Sequence, residues 1–278
     1  MTHATRHAAI TFVARRPYEN AFIQWVLEGG HGLDASDEVV LHRDASGAIT
    51  GAIYFGTQLV VAADDDATID AFAVETRRHP GLRSFVGPQT CVGRLWEQVR
   101  GWHRPPALVR TRQPIYVLSP AALLAGINVL AGPNVETAAE VRQATLADAD
   151  RVIENSAEMM LGELGYDPRT AHGMFVAGVR RAIVRGQWWV WVKNDELRFQ
   201  LNVGARTRET AQLQGVWTPP AQRKRGYAFA ALSQIAQRLL RENSTLSLYV
   251  NDFNTEAIGL YERIGFVRDG TMSTLLFA

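Results

Sequence analysis

The sequence has few of the features that mark secreted, membrane-bound or metal-binding proteins. It contains one cysteine, Cys91, in 278 residues, so no intramolecular disulfide can form. We interpret Cys91 as a small buried hydrophobic residue, because free cysteines are commonly buried. No apolar stretch approaches the roughly 20 residues that span a bilayer, and residues 1–16 lack the apolar core of a signal peptide. We therefore expect a cytoplasmic protein with no membrane partner.

Charge and histidine spacing argue against two further kinds of site. The formal net charge is +1, whereas binding of nucleic acid by overall attraction requires many phosphate contacts. The seven histidines are scattered, and only His3 and His7 have a metal-like spacing, without further ligands nearby. We predict no metal site and no nucleic-acid partner.

Glycine and proline divide the sequence near residue 135. Gly126, Gly132 and Pro133 interrupt an apolar segment that precedes a polar one. A composition of 47% hydrophobic and 21% charged residues is typical of a globular chain. The sequence therefore predicts an N-terminal domain over residues 1–130 and a C-terminal domain over residues 136–278.

The C-terminal part alternates strand and helix patterns, which predicts an α/β (α+β) fold. Thr145 and Asp148 have the spacing of a capping box ahead of an apolar helical stripe. Three antiparallel strands are predicted over residues 188–217, and the segment WWVW at their start fits a core strand better than an aromatic cage. The remaining predicted elements are a helix over 227–242, a strand over 246–250, a helix over 255–263 ended by Gly265, and a final strand pair over 266–277.

The N-terminal part has a similar order of predicted elements, but its helix and strand patterns are less distinct. This order suggests a duplicated fold, although no residue-level repeat is visible. The patterns predict helices over residues 18–28, 68–78 and 92–102, and strands over 38–43, 48–56, 84–88 and 114–119.

The segment TPPAQRKRG links the predicted strand LQGVW to the helix that begins YAFAAL. A strand, a tight turn and a helix N-terminus together direct free backbone N–H groups and the positive end of the helix dipole at one point. Arg223, Lys224 and Arg225 add charge at the rim, and Gly226 permits close approach of a ligand. The segment fits a phosphate or pyrophosphate site, and its alternative interpretation is a solvated basic turn.

A second segment, NTEAIGLYERIGF, places two polar side chains on one helix face. Asn254 begins the predicted helix and Tyr261 follows two turns later. Both can line one site. The alternatives are that Asn254 only caps the helix and that Tyr261 only packs in the core.

These two segments together resemble the GCN5-related N-acetyltransferase (GNAT) family. Its acetyl-CoA motif, Gln/Arg-x-x-Gly-x-Gly/Ala, is matched by Arg223, Gly226 and Ala228, and its second signature by Asn254 and LYERIGF at 260–266. The resemblance covers residues 139–278 and implies the GNAT acyl-CoA N-acyltransferase fold there, with acetyl-CoA (CoA) as co-substrate. The N-terminal half resembles that of a two-part GNAT subgroup and lacks the acetyl-CoA motif. It is expected to be a degenerate GNAT-like half that has lost cofactor binding and shapes the acceptor side or the fold.

The resemblance implies that a primary amine of a small molecule, amino acid or peptide attacks acetyl-CoA directly in a ternary complex. Gly215 fits a β-bulge or a close approach to the cofactor, and a backbone N–H there can polarise the thioester. Tyr261 is the candidate proton donor to the departing thiolate. The implied cofactor-binding residues are Gly215, Val216, Trp217, Thr218, Arg223, Lys224, Arg225, Gly226, Tyr227, Ala228, Asn254 and Tyr261.

The sequence offers three candidates for the general base. Family members often place a glutamate on the central strand, where this sequence has Gln212 and Gln214. Glu163 is the candidate base, followed by Glu158 and Tyr249, although Glu163 also fits a solvated surface carboxylate. Two other functions stay open: a non-catalytic acyl-CoA-binding protein, and a tandem-GNAT aminoacyl transferase that uses charged tRNA, which the intact loop and near-neutral charge disfavour.

Overall fold

The computed structural model describes residues 2–30, 35–56, 58–129, 140–170 and 173–277. The predicted domain boundary near residue 135 lies outside these residues, so the division into two domains stays a prediction. The helices are α1 His3–Val13, α2 Ala21–Leu27, α3 Asp66–Thr76, α4 Gln89–Val99, α5 Pro120–Val129, α6 Ala149–Leu164, α7 Met174–Val184, α8 Tyr227–Leu239 and α9 Thr255–Ile264. The strands are β1 Val39–Arg43, β2 Ile49–Phe55, β3 Leu59–Ala63, β4 Ser84–Pro88, β5 Leu108–Leu118, β6 Val141–Gln143, β7 Trp188–Lys193, β8 Glu196–Arg206, β9 Thr210–Trp217, β10 Thr245–Tyr249 and β11 Val267–Leu276.

The strands form one mixed sheet in which the two halves follow the same plan. Their order is β1, β2, β3, β4, β11, β5, β10, β9, β8, β7, β6. The β3–β4 and β9–β10 pairs are parallel, and the other pairs are antiparallel. In each half, three antiparallel strands lead to a helix, a parallel strand, a second helix and a last strand. The α/β prediction is therefore confirmed.

The two halves exchange their last strands. Strand β11 lies between β4 and β5, and β5 lies between β11 and β10. The predicted strand pair over residues 266–277 is wrong, because residues 267–276 form one strand whose two partners both come from the N-terminal half. Gly270 lies at a register shift between Arg268 and Thr271 rather than in a hairpin turn.

Helices cover both faces of the sheet, and the alternation along β7 shows how. Trp189 and Trp191 pack in the cluster that includes α8, whereas Trp188 and Val190 pack in the cluster that includes α6 and α7. All four side chains are buried, since alternate residues of a strand face opposite sides. The core-strand interpretation of WWVW is confirmed.

Local signals placed most element ends correctly. Thr145 and Asp148 form the predicted capping box, and Gly265 ends α9 with a φ of +109°. Helix α8 ends at Leu239 rather than 242. Four elements were missed, α1, β3, α5 and α7; β3 is a continuous buried apolar run, a pattern that parallel strands share with buried helices. Among the described residues, no helix is long and apolar enough to cross a bilayer.

Candidate active site

A split between two parallel strands creates a cavity in the C-terminal half. The pairing of β9 with β10 extends only to Gln212 and Ser247, although β9 continues to Trp217 and β10 to Tyr249. Beyond that point the edge of β9 that faces β10 is unpaired, which leaves backbone N–H and C=O groups available. A cavity of about 400 Å³ lies here, bordered by β9, the following loop, the first turn of α8, helix α9 and the end of α6.

Gly215 forms the predicted bulge at the start of this free edge. Asn202 of β8 faces Gln214 and Gln200 faces Trp217, so two residues of β9 oppose one of β8. Gly215 has a φ of +60°, and an added Cβ would lie 3.6 Å from the Trp188 ring, an ordinary contact. Backbone conformation rather than lack of space therefore favours glycine.

The basic loop ends at the N-terminus of α8, as the sequence predicts. Gly226 is the residue before the helix, with a φ of +78°, and no acidic residue occupies the first helical turn. The Arg223 Nε atom donates to the Thr218 carbonyl at 3.1 Å, and its Cζ atom lies 4.6 Å from the centroid of the Trp217 ring. The side chains of residues 223–225 are exposed. The positive end of α8 is thus open to an anion at the cavity.

Three buried polar atoms at the cavity have no partner within the part of the chain that the structure describes. They are Trp217 Nε1, Thr218 Oγ1 and Gln222 Oε1. An unsatisfied buried donor or acceptor is costly, so these atoms favour a polar ligand in the cavity. Together with the free edge of β9 they fit an elongated ligand that carries both amides and phosphates.

Helix α9 contributes the second wall of the cavity. The Asn254 Oδ1 atom accepts from the Ala257 N–H at 3.2 Å, so Asn254 does cap the helix, and it also lines the cavity. Tyr261 is 6% exposed and belongs to the core cluster around α8, yet it lines the same cavity. Asn254 therefore both caps α9 and lines the cavity, and Tyr261 both packs in the core and lines the cavity.

The structure brings most of the predicted site residues together. Gly215 lies next to the cavity at the bulge, and Arg225 is exposed beside it. The predicted residues that line the cavity are Val216, Trp217, Thr218, Arg223, Lys224, Gly226, Tyr227, Ala228, Asn254, Tyr261 and Glu163. Those that sequence reasoning missed are Gln222, Phe229, Glu256, Ala257, Leu260 and Arg263; the helical spacing of Ala257, Leu260 and Tyr261 could have revealed the α9 members.

The cavity combines a carboxylate with a phenol. Glu163 lies exposed in the last turn of α6, where partial desolvation by the surrounding protein raises its pKa and the nearby Arg110 charge lowers it. Burial, and secondarily the Glu163 charge, raises the pKa of Tyr261, so its hydroxyl stays protonated at neutral pH. Such a pair can accept one proton and donate another.

The other candidate bases are placed differently. Glu158 is exposed on α6 and does not line the cavity. Tyr249 is half-buried at the end of β10, and burial raises its pKa. The Gln212 side-chain amide donates to the Tyr18 carbonyl at 3.3 Å, and that of Gln214 to Asn202 Oδ1 at 2.9 Å.

The equivalent split in the N-terminal half is closed. In the pairing of β3 with β4, Leu59 lies opposite Phe85 and Val60 lies opposite Val86. The next residues stay close together, because a Cβ added at Gly87 would lie only 2.7 Å from the Val61 carbonyl oxygen. Cys91 is buried there, as predicted, with Sγ 3.7 Å from the Ala63 carbonyl oxygen. Only Asp64 and Asp65 separate β3 from α3, so an acidic link replaces the basic loop.

No group of three or more histidine, cysteine, aspartate or glutamate side chains suited to a metal occurs among the described residues.

Two family models match separate parts of the sequence. Residues 39–152 match a domain of unknown function (DUF4081), and residues 200–274 match the FR47-like protein family. No curated protein matches the sequence.

The structure is similar to solved structures over nearly its whole length. A Drosophila protein gives a TM-score of 0.66 at 15% identity, covering 99% of this chain and 97% of that one. A tandem GNAT protein from the clavulanic acid biosynthesis pathway gives 0.54 at 12% identity, covering 98% and 94%. A GNAT-family acetyltransferase from Colwellia psychrerythraea gives 0.54 at 11% identity, covering 97% and 97%. The chain therefore has the GNAT fold across both of its halves, and its C-terminal half matches the FR47-like protein family, in agreement with the resemblance of its two motifs.

Proposed function

We propose that this protein is an acetyl-CoA-dependent N-acetyltransferase that acts on a primary amine. The observation that carries the proposal is the open split between β9 and β10, which leads to the uncapped N-terminus of α8. The closed and acidic counterpart in the N-terminal half supports a single cofactor site per chain. The proposed location is the cytoplasm, in keeping with the single buried cysteine.

Neighbouring parts of the cavity would bind successive parts of CoA. The first-turn N–H groups of α8 and the cations at 223–225 would hold the pyrophosphate. The free edge of β9 from Gly215 to Trp217 would pair with the amides of the pantetheine arm. When bound, acetyl-CoA would supply the activated acetyl group.

Two side chains provide the proton transfers that direct acetyl transfer requires. The Glu163 carboxylate accepts a proton from the acceptor ammonium, which frees the nitrogen lone pair for attack. As the nitrogen–carbon bond forms and the carbon–sulfur bond breaks, the Tyr261 hydroxyl donates its proton to the departing sulfur, and the second proton that the nitrogen loses as the amide forms restores the Tyr261 phenol. The raised pKa of Tyr261 keeps that proton available at neutral pH.

One observation favours a second candidate, a non-catalytic acyl-CoA-binding protein. Strand β9 carries Gln212 and Gln214, and both amides are engaged in hydrogen bonds to the protein. Neither can act as a base. Release of the CoA thiol in the presence of an amine distinguishes the enzyme from the binding protein.

The first test is a calorimetric titration of acetyl-CoA into the wild-type protein and a Gly226→Trp variant. The added ring would occupy the N-terminus of α8, so we expect binding to weaken by at least about 30-fold, or roughly 2 kcal/mol. Gly173→Trp is the matched control, because Gly173 also precedes a helix, with a φ of +77° and no atom within 4 Å of an added Cβ. Absence of binding to the wild type, or equal loss in both variants, contradicts the proposal.

A further inference from the structure

Arg110 of the N-terminal half reaches into the neighbourhood of the candidate base. It lies on β5, and its Nη2 atom donates to the Glu163 carbonyl oxygen at 2.8 Å. Its Cζ atom lies 4.8 Å from the centroid of the Phe253 ring, and its own carbonyl accepts from Ser273 Oγ at 3.1 Å. The end of α6, the loop before α9 and strand β11 therefore all contact this residue.

The Arg110 guanidinium has no carboxylate partner among the described residues. It is half-buried, and the Glu163 carboxylate is near enough for Arg110 to lower its pKa without an ion pair between them. Arg112, two residues along the same strand, does pair with Asp252 at 3.7 Å. A guanidinium that no carboxylate neutralises can bind an anionic group of a ligand, so Arg110 has the properties of a ligand-binding residue.

Opposite charges placed side by side without an ion pair suit a ligand that carries both charges. We propose that the acceptor is a zwitterion, an amine that bears a carboxylate on the same molecule, as in a free amino acid. This inference rests on the proposed function and names its substrate class. Glu163 faces the ammonium and takes its proton before attack on the acetyl carbon, whereas Arg110 holds the carboxylate, which is unchanged by the reaction.

The geometry of arginine supports this assignment. A guanidinium presents several N–H donors in a planar fork that matches a carboxylate, and only one Arg110 donor is used by the Glu163 carbonyl. Phe253 is 62% exposed beside it and offers an apolar surface for the rest of the acceptor. The N-terminal half thereby supplies a specificity-determining residue to a site that otherwise belongs to the C-terminal half.

The test compares amino acids with their carboxamides as acceptors, which differ only in the anionic group. Release of the CoA thiol is measured with the wild type, Arg110→Gln, Arg110→Lys and the control Arg112→Gln. We expect the wild type to prefer the carboxylate form by about 10- to 100-fold in kcat/KM. Arg110→Gln should lose that preference, mainly through KM for the carboxylate form. Arg110→Lys should restore part of it, and Arg112→Gln should retain it.

Each contrary result has a distinct meaning. Equal use of both acceptor forms by the wild type would refute the zwitterion while leaving the acetyltransferase intact. An equal loss for both forms in Arg110→Gln would assign Arg110 to holding the end of α6, and would also refute it. Binding of acetyl-CoA without transfer to any amine would overturn the proposed function and this inference with it. Thermal unfolding of each variant shows that it is folded.

Discussion

Replacing Asp148 by asparagine would test how the site's base is anchored, because Asp148 is the N-cap residue of α6, which carries Glu163 in its last turn. The Asp148 side chain is 3% exposed. Its two oxygens accept from Arg142 at 2.7 and 2.8 Å, and one of them also accepts from the Thr145 N–H at 2.8 Å. Asparagine preserves the shape of this group but removes its charge.

The expected loss of stability follows from the pKa of Asp148. Hydrogen bonds from Arg142, followed by those from Thr145, lower it to about 2, compared with roughly 3.9 in an unfolded chain. The difference corresponds to about 2.6 kcal/mol at neutral pH, so we expect Asp148→Asn to lower the free energy of unfolding by about 2–3 kcal/mol.

The effect should depend on pH in one direction. Because the folded-state pKa is depressed, the contribution is complete above the unfolded-state pKa and is lost as the pH falls through about 2. By pH 3 it should have declined to about half. Urea unfolding followed by tryptophan fluorescence, at pH 7 and pH 3, measures both values.

Asp150→Asn is the matched control. Asp150 lies in the same helix and pairs with Arg180, but its side chain is 90% exposed, so the change should be within about 0.5 kcal/mol. A difference below about 1 kcal/mol for Asp148→Asn at pH 7, or one that is equally large at pH 3, would refute the reasoning.

Two further predictions concern the reaction. Tyr261→Phe keeps the buried ring and removes the hydroxyl, so acetyl-CoA affinity should stay within about 2-fold while kcat falls by about 100- to 1,000-fold; an unchanged kcat would exclude Tyr261 as the proton donor. Glu163→Gln should abolish the decline of kcat/KM on the acidic side of the pH profile, because that decline reports protonation of a carboxylate whose pKa is raised. If the acidic limb persists in the variant, Glu163 is a solvated carboxylate and another group is the base.

The exchange of last strands bears on how the two halves depend on each other. Strand β5 separates β11 from β10, so the C-terminal half has a continuous sheet only when β5 is present. Arg110 lies on that same strand. The strand that joins the two halves thus also brings a charge to the acceptor side of the site.

The sequence by itself determined the features that depend on nearby backbone chemistry. The capping box at Thr145, the bulge at Gly215, the start of α8 after Gly226 and the end of α9 at Gly265 all lie where the sequence predicts. Each depends on the conformational freedom of glycine or on a hydrogen bond within a few residues. The cavity-lining loop was therefore predictable before its surroundings were known.

Only the tertiary structure decided the partners of β11, the position of Arg110 and the environment of Glu163. Residues 267–276 contain Gly270, which by local rules indicates a turn, yet pairing with β4 and β5 keeps them in one strand. Arg110 and Glu163 are 53 residues apart in the chain, and no local pattern relates them. Long-range strand pairing sets which of these groups meet, because the free energy of each contact depends on residues that the intervening chain brings together.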